Sequence, residues 1–402
     1  MTTTSVPHWC YILINKEALY HNLAVIQRHC PHEQIVAMLK SNSYGHAAVS
    51  IAQLLQRAGV SRFGVATLQE AIQLRDAGIT GTILLSGAGW LLQTEELIAR
   101  RITPLLSDAQ ELDAVVRHVQ SSCIDGSYAV HLKIDTGMSR MGIAFDAQHP
   151  TMLLSVLQQL QQTPRLQLQG MCTHFAHADV KNKAAMQQQL QRFAAAVQLA
   201  QQQGLQPTVL HVANSAAILQ GYCNAGQQSV LNNHNIQWWI RPGGALYGLN
   251  SMTDDPTHCP FKPVLSWHAP VVLRKRIKKG DRVGYAGTWT APRDTQLAVL
   301  AVGYGDGYAR LLSNRGHVLI AGSPAPIIGN ISMDLTTVDV TNIYQQQGPD
   351  SCRMGATATL IGQQGQHNIT AWNLAHLCHT IPYEICTRIS SRVPRYCVDH
   401  LP

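Results

Sequence analysis

Nowhere in the 402 residues do about 18 apolar side chains run together, so no segment has the length of a membrane-spanning helix. Charge is sparse: 13% of residues are charged against 46% hydrophobic, which leaves enough apolar material for a sizeable core and reads as a soluble, globular chain. The ten cysteines include no C-x-x-C pair, and several (Cys172, Cys386, Cys397) sit in apolar runs. That usage argues for buried reduced thiols and against structural disulfides or a cysteine zinc centre, and no metal is expected. A net charge of +7 has no concentrated basic surface behind it. Only Arg274 to Lys279 gathers basic residues, which a solvated turn explains, so nucleic acid is not an expected partner. Met1 to Tyr20 shows no basic start, apolar run and small-residue cleavage site, and the expected location is the cytoplasm, with no membrane partner.

What the chain does have is alternation. Eight short apolar or β-branched runs recur at Ile35–Leu39, Arg62–Val65, Thr82–Leu85, Ile102–Leu105, Ala129–Ile134, Leu166–His174, Val209–Val212 and Trp238–Arg241. Segments of helical spacing lie between them, among them Ala48–Ala58, Leu68–Ala77, Asp108–Gln120 and Lys183–Gln203. Alternation of this kind predicts parallel β/α units, and eight of them predict an α/β fold with an N-terminal (β/α)8 barrel rather than an open doubly wound sheet. From about Phe261 the pattern changes to closely spaced strands at Val271–Leu273, Leu297–Val302, His317–Ile320, Leu335–Val340 and Thr357–Ile361, separated by Gly- and Pro-bearing turns. These predict a separate, mainly β domain.

In a (β/α)8 barrel the chemistry sits at the C-terminal ends of the strands. Lys40 closes the first apolar run, where desolvation lowers an amine's pKa and frees it for Schiff-base chemistry, although a lysine there is by itself more often a snorkelling strand end. The seventh strand leads into Ala213-Asn214-Ser215 and a helical alanine run, placing amides and a hydroxyl where a phosphate is readily held. The eighth ends in Arg241-Pro242-Gly243-Gly244, whose glycines let backbone amides approach an anion. Alone, Asn-Ser is an ordinary N-cap and Pro-Gly-Gly an ordinary turn. The fifth strand carries Lys133 and leads to Met138-Ser139-Arg140-Met141-Gly142, and the sixth ends at Thr173-His174. Lysine, two arginines, a histidine and a phosphate cradle at one barrel mouth fit an anionic cofactor together with a carboxylate substrate.

The run Ala37-Met38-Leu39-Lys40-Ser41-Asn42-Ser43-Tyr44-Gly45-His46 resembles the pyridoxal-phosphate (PLP) lysine signature of alanine racemases. The resemblance continues through His131–Gly142, Thr173-His174-Phe175, Ala213-Asn214-Ser215 and Arg241-Pro242-Gly243. It resumes in the β region at Gly284–Trp289, Gly303–Gly307, Ser332-Met333-Asp334, Tyr383-Glu384-Ile385 and Arg392–Arg395, thus spanning nearly the whole chain. It implies a PLP-binding barrel over residues 13–258 and a β domain over 259–402, joined by an opening segment, 1–12, that contains Trp9. It also implies PLP as cofactor, alanine as substrate, D-alanine supply for peptidoglycan, and a head-to-tail homodimer with shared active sites.

By the same resemblance, Lys40 serves one face of the α-carbon and Tyr285, from the partner subunit, the other. Tyr44, His174, Asn214, Ser215, Arg241, Gly243 and Gly244 join Lys40 around the cofactor, with Arg241 meeting the pyridine nitrogen. Arg140 and the Met333 amide face the substrate carboxylate, Tyr304 narrows the entrance, Asp334 supports it, and Lys133 matches a lysine that is carbamylated in many members. Arginine cannot readily hand the ring nitrogen a proton, so the electron sink is weaker than a carboxylate would make it, and side reactions are discouraged.

Three positions depart from the family pattern. Ser391 stands where several members have a phosphate-holding tyrosine, Asn330 where some have arginine, and Ala286 where glycine is common beside Tyr285. A smaller residue at 391 keeps a broader or serine-type racemase open as an alternative. A PLP carrier without turnover would need no second base such as Tyr285, and a decarboxylase would need an acidic partner for the ring nitrogen in place of Arg241.

Overall fold

The computed structural model describes residues 9–121, 126–180, 183–224, 235–249 and 259–401. Its backbone contacts divide the chain into two compact units. One comprises Tyr20–Ser43 and Ala48–Lys262; the other comprises the described residues up to Leu19, the short segment Tyr44–Ala47, and Pro263 onward.

The first unit is the expected barrel. Its strands are Gln34–Ile35 with Ala37–Met38, Arg62–Val65, Thr82–Leu85, Thr103–Leu106, Tyr128–Asp135, Leu166–Cys172, Val209–His211 and Gln237–Ile240. Each pairs in parallel with the next, and the ring closes because the first stave is split at Val36. Its front half pairs with the eighth strand (Ile240↔Ile35) and its back half with the second (Ala37↔Phe63). The strands are buried on both sides, as a wall covered by helices outside and packed with side chains inside must be. The helices Ala48–Arg57, Leu68–Asp76, Ala109–Ser121 and Ala184–Gln202 fall within a residue or two of their predicted spans. The Leu68 helix opens with a capping box, the Thr67 side chain accepting from the Glu70 amide while Glu70 accepts from Thr67 N–H.

The second unit is built on the long strand Leu265–Ile277, which pairs antiparallel with Tyr11–Asn15, Thr295–Leu300 and Thr357–Gln364. Tyr11–Asn15 also pairs in parallel with Arg395–Val398, so the opening strand belongs to the β sheet. Two expectations need correction. Arg274 to Ile277 is the exposed end of the long strand rather than a turn, because pairing with Thr295–Leu300 extends it. Among the cysteines, Cys30 and Cys223 form a disulfide and Cys397 is exposed on an edge strand. Spacing along the sequence could not anticipate a pair separated by 193 residues. No helix among the described residues is long and apolar enough to cross a membrane.

Candidate active site

The barrel mouth is assembled by hydrogen bonds that fix each loop. After Lys40 the backbone enters a left-handed turn, with φ of 53° at Ser41 and Asn42 and 56° at Ser43. Each such residue costs roughly 1–2 kcal/mol, so the turn must be held by its surroundings. Glu70 accepts the Ser41 amide at 2.6 Å, Asn42 Oδ1 accepts the Ala48 amide at 2.8 Å, and the Ser43 amide reaches Leu39 O at 2.7 Å. Burial, reinforced by Arg140 and Arg241 and opposed by Glu70, lowers the Lys40 ammonium from its ordinary range.

At the fifth strand, Asp135 Oδ1 accepts the amides of Gly137, Met138 and Ser139 (2.9, 3.0 and 3.1 Å), curling the loop that presents Arg140. Gly142 closes it at φ 126°, where a Cβ would meet the Asp135 nitrogen at 2.6 Å. Buried Gln189 ties this loop to the sixth, donating to Thr136 Oγ1 and His174 O. Lys133 points inward from the same strand; its pKa is lowered chiefly by burial and further by Arg241, Arg140 and Lys40.

Arg241, buried, is held by the carbonyls of His211 (2.7 Å), Thr173 (2.7 Å) and Val212 (3.3 Å). It also meets His211 Nδ1 at 2.8 Å and, more distantly, His174 Nδ1 at 3.4 Å. Because a guanidinium only donates, both Nδ1 atoms must accept, which puts each ring proton on Nε2. His211 Nε2–H then donates to His131 Nδ1 (2.8 Å), and His131 Nε2–H to Gln169 Oε1 (3.2 Å). The chain Arg241–His211–His131–Gln169 thus runs in one proton order through the barrel interior. Neutral imidazoles are required, and burial supplies them: His131 is pushed down to about 4, and His174 and His211 are lowered well below their usual value by burial and then by Arg241.

Beyond the seventh strand, Asn214 N-caps the turn Ser215–Leu219 by accepting the Ala217 amide. Ser215 Oγ accepts from Gly243 N (2.9 Å) and Ala245 N (3.2 Å), so its own hydrogen is left to donate to an anion. Gly244 begins the short helical turn that follows. Tyr44, the remaining expected phosphate contact, clusters with the β unit, its ring 5.8 Å from that of Tyr383.

In the β unit the expected residues form two loops laced together. Tyr304 N donates to Ser332 O (3.0 Å) and Gly305 N to Met333 O (2.8 Å). Arg392 bridges both, pairing with buried Asp306 at 2.7 Å and with Asp334 at 2.8 Å, and Trp9 Nε1 also donates to Asp306. Asp334 is thereby a brace for the Met333 loop. The Tyr285 carbonyl accepts from Asn330, and Arg282 takes the carbonyls of Ala286 and Gly287. Asn330 therefore steadies Tyr285 where some relatives have arginine. Ala286 has φ 61°, which explains why glycine is common there. Ser391 is exposed.

Sequence reading missed Glu70, Gln189 and His211 as parts of the machinery, and it picked out Asp135, Asp306, Arg392 and Asn330 without the bracing roles they have. The Thr67-x-x-Glu70 capping pattern was a visible signal. The inward alternation of His131 and Lys133 on one strand was another.

Four cations, Lys40, Lys133, Arg140 and Arg241, thus act on one another electrostatically within the barrel, beside a hydroxyl donor and glycine amides. This donor set fits PLP: an amine whose pKa burial lowers, donors for phosphate, and a buried arginine for the ring. The fold and the lysine define a barrel-type PLP enzyme with an appended β domain. Residues 14–251 match the family described as alanine racemase, N-terminal domain, and residues 264–397 the family described as alanine racemase, C-terminal domain. The alanine racemase of Sorangium cellulosum is 38% identical over 95% of this chain and 97% of its own length. A Bartonella henselae alanine racemase solved with covalently bound pyridoxal phosphate is 27% identical with a TM-score of 0.80, covering 98% of this chain and 100% of that one. A histidine racemase from Leuconostoc mesenteroides is 29% identical with a TM-score of 0.83, covering 98% and 99%. The chain belongs to the alanine racemase family, whose members are PLP-dependent.

Proposed function

We propose that this racemase interconverts L- and D-alanine with Lys40 and Tyr285 as opposed bases, each serving one face of the α-carbon. The observation that carries the proposal is Lys40 itself, a desolvated amine among Arg140 and Arg241, whose charge they press toward neutrality. Bound PLP supplies the electron sink that makes the α-proton removable. Lys40 Nζ then takes or returns a proton on its face, a task suited to an amine whose pKa is brought toward the working pH. Arg140 supplies a guanidinium for the substrate carboxylate and Met333 a backbone amide, with Tyr304 narrowing the approach and Asp334 fixing Met333 through Arg392. Ser215, with Asn214, Gly243, Gly244 and Tyr44, serves the phosphate end. Arg241 bonds the carbonyls and histidine rings around it through Nη1 and Nη2, and its Nε–H would serve the ring nitrogen as a donor that does not give up its proton. His174 stays neutral beside it.

Tyr285 is 74% exposed and Met333 55%, although a base that exchanges protons with a carbon acid works best where water is kept out. This supports a head-to-tail homodimer in which a second copy covers Tyr285. Carbamylation of Lys133, written as an anion facing Arg140, accords with its lowered pKa, since a neutral amine is the form that takes up carbon dioxide. Supply of D-alanine for peptidoglycan in the cytoplasm completes the reading. A broader specificity is the second reading, favoured by the likeness to a histidine racemase and by the small, exposed Ser391. Circular dichroism of L-alanine solutions tests the first: racemisation by wild type and its loss in Lys40→Ala and Tyr285→Phe are expected. Faster turnover of serine, lysine, arginine or histidine would shift the substrate to the second reading, and an active monomer in sedimentation would remove the shared site.

A further inference from the structure

We infer that Cys30 and Cys223 are a redox modification site: a reversible disulfide that staples the barrel where its ring closes. The two sulfurs are bonded, with Cα atoms 5.8 Å apart, well inside the span that a disulfide bridges without moving the backbone. Both cysteines are nearly inaccessible, at 2% and 5% exposure.

Their places in the fold give the bond its role. Cys30 follows the helix Lys16–His29 and lies four residues before Gln34, where the split first stave begins. Cys223 lies four residues after Leu219, the end of the turn that Ser215 opens. Front and back halves of the first stave have two residues each, and the front half meets the eighth strand through Trp239↔Gln34 and Ile240↔Ile35. The disulfide adds a covalent tie between the approach to this short stave and the segment beyond the seventh strand. Spanning 193 residues, it removes a large amount of chain entropy from the unfolded state.

The chemistry of the pair differs from that of three other buried cysteines. Cys10, Cys172 and Cys386 are buried without a sulfur partner, and burial pushes their thiols up, Cys10 and Cys386 to about 12, which makes them poor nucleophiles. At Cys30 and Cys223 a carboxylate oxygen of Glu33 lies within 4.8 Å of both sulfurs, and Asn224 donates to Glu33. Negative charge there disfavours a thiolate and slows attack on the bond by an external thiolate, so the linkage, once made, is slow to exchange. Its formation is an exchange: the two thiols surrender two protons and two electrons to a small-molecule disulfide, which departs as two thiols, and a small-molecule dithiol reverses the step.

The test uses the full-length holoenzyme purified without reductant. A thiol titration in denaturant should find eight of the ten cysteines reactive, and mass spectrometry of a non-reduced digest should contain the Cys30–Cys223 cross-linked peptide. Reduction with a dithiol should lower the melting temperature by roughly 5–10 °C. Cys30→Ser, Cys223→Ser and the double variant should melt alike, near reduced wild type, and ignore the reductant. Hydrogen exchange of residues 34–35 and 237–240 should rise on reduction before that of the rest of the barrel. Ten reactive thiols after exposure to oxidised glutathione would overturn the proposal. So would about one zinc per chain with no cross-linked peptide, which would make Cys30, Glu33 and Cys223 a metal site. A cross-link whose reduction leaves the melting temperature unchanged would overturn the staple.

Discussion

The two units prepare their working groups in opposite ways. In the barrel unit Lys40, Lys133, His174 and Arg241 are largely withdrawn from water, and their proton states are set by burial and by one another. In the β unit Tyr285, Tyr304 and Met333 are exposed, and what is fixed is the backbone that carries them, through Arg282, Asn330, Asp306 and Arg392. Desolvation tunes chemistry within one chain, whereas presentation leaves a group waiting for whatever covers it. Buried groups should therefore respond to substitution with changes in both stability and activity, and presented groups with changes in activity alone.

The largest expected effect is at the two bases. Lys40→Ala should lower turnover at least about 1000-fold, and Tyr285→Phe by about 100- to 10,000-fold, with the melting temperature of Tyr285→Phe within a degree of wild type. Incorporation of solvent deuterium should fall on opposite faces of alanine in the two variants. An equal loss on both faces would mean that the bases are not divided between them.

Next comes Arg241→Gln, which strips donors from the buried carbonyls of His211, Thr173 and Val212 and should cost about 3–5 kcal/mol in chemical denaturation. Arg392→Gln loosens the Asp306–Arg392–Asp334 brace, whose Asp306 is buried while Arg392 and Asp334 are partly exposed. Its effect should be an increase in KM for alanine with a smaller change in kcat. A stability loss as large as that of Arg241→Gln would erase the distinction drawn above.

Acid offers a comparison of like with like, since each unit holds a buried histidine pushed down to about 4: His131 in the barrel, and His268 between Ser266 and Thr359 in the sheet. For both, the folded pKa lies below the unfolded value of about 6.5, so the unfolded chain binds more protons between those limits. The protein must then lose stability as pH falls from 6.5 toward 4, by roughly 2–3 kcal/mol per site, and only a small part of the loss, roughly 0.4 kcal/mol per site, precedes pH 6.5. His131→Gln and His268→Gln should each flatten the dependence of melting temperature on pH over that window. An unchanged slope in either would place that histidine outside the acid response.

The smallest effect is Ala286→Gly. Relief of a left-handed alanine should stabilise by up to about 1 kcal/mol, less the entropy of a freer chain, and leave turnover within a factor of two unless Tyr285 becomes too mobile. The melting temperature and the Tyr285-dependent exchange rate read these separately.

Much of this was legible beforehand. The spacing of apolar runs identified strands such as Arg62–Val65 and Thr82–Leu85 to the residue, because a parallel strand buried on both faces has to be a short continuous apolar run. Lys40, Arg140, His174, Ser215 and Arg241 stood out as polar groups at the ends of such runs. Glu70 and Gln189 did not stand out, and Asp306, Arg392 and Asn330 carried no sign of a bracing role, because all are common polar residues whose meaning is their partner, 29 to 86 residues away in the cases of Ser41–Glu70 and Asp306–Arg392.

By itself, then, the sequence determined the alternating architecture, the change to β structure after the barrel and the identity of the polar side chains at strand ends, all properties carried by local pattern. Only the tertiary structure decided that Arg241, His211, His131 and Gln169 form one ordered chain of donors, that Tyr44–Ala47 belongs with the β unit, and that Cys30 and Cys223 meet. The reason is physical: hydrogen bonds, desolvation and disulfides depend on distances between residues far apart in the chain, and those distances exist only once the barrel has closed.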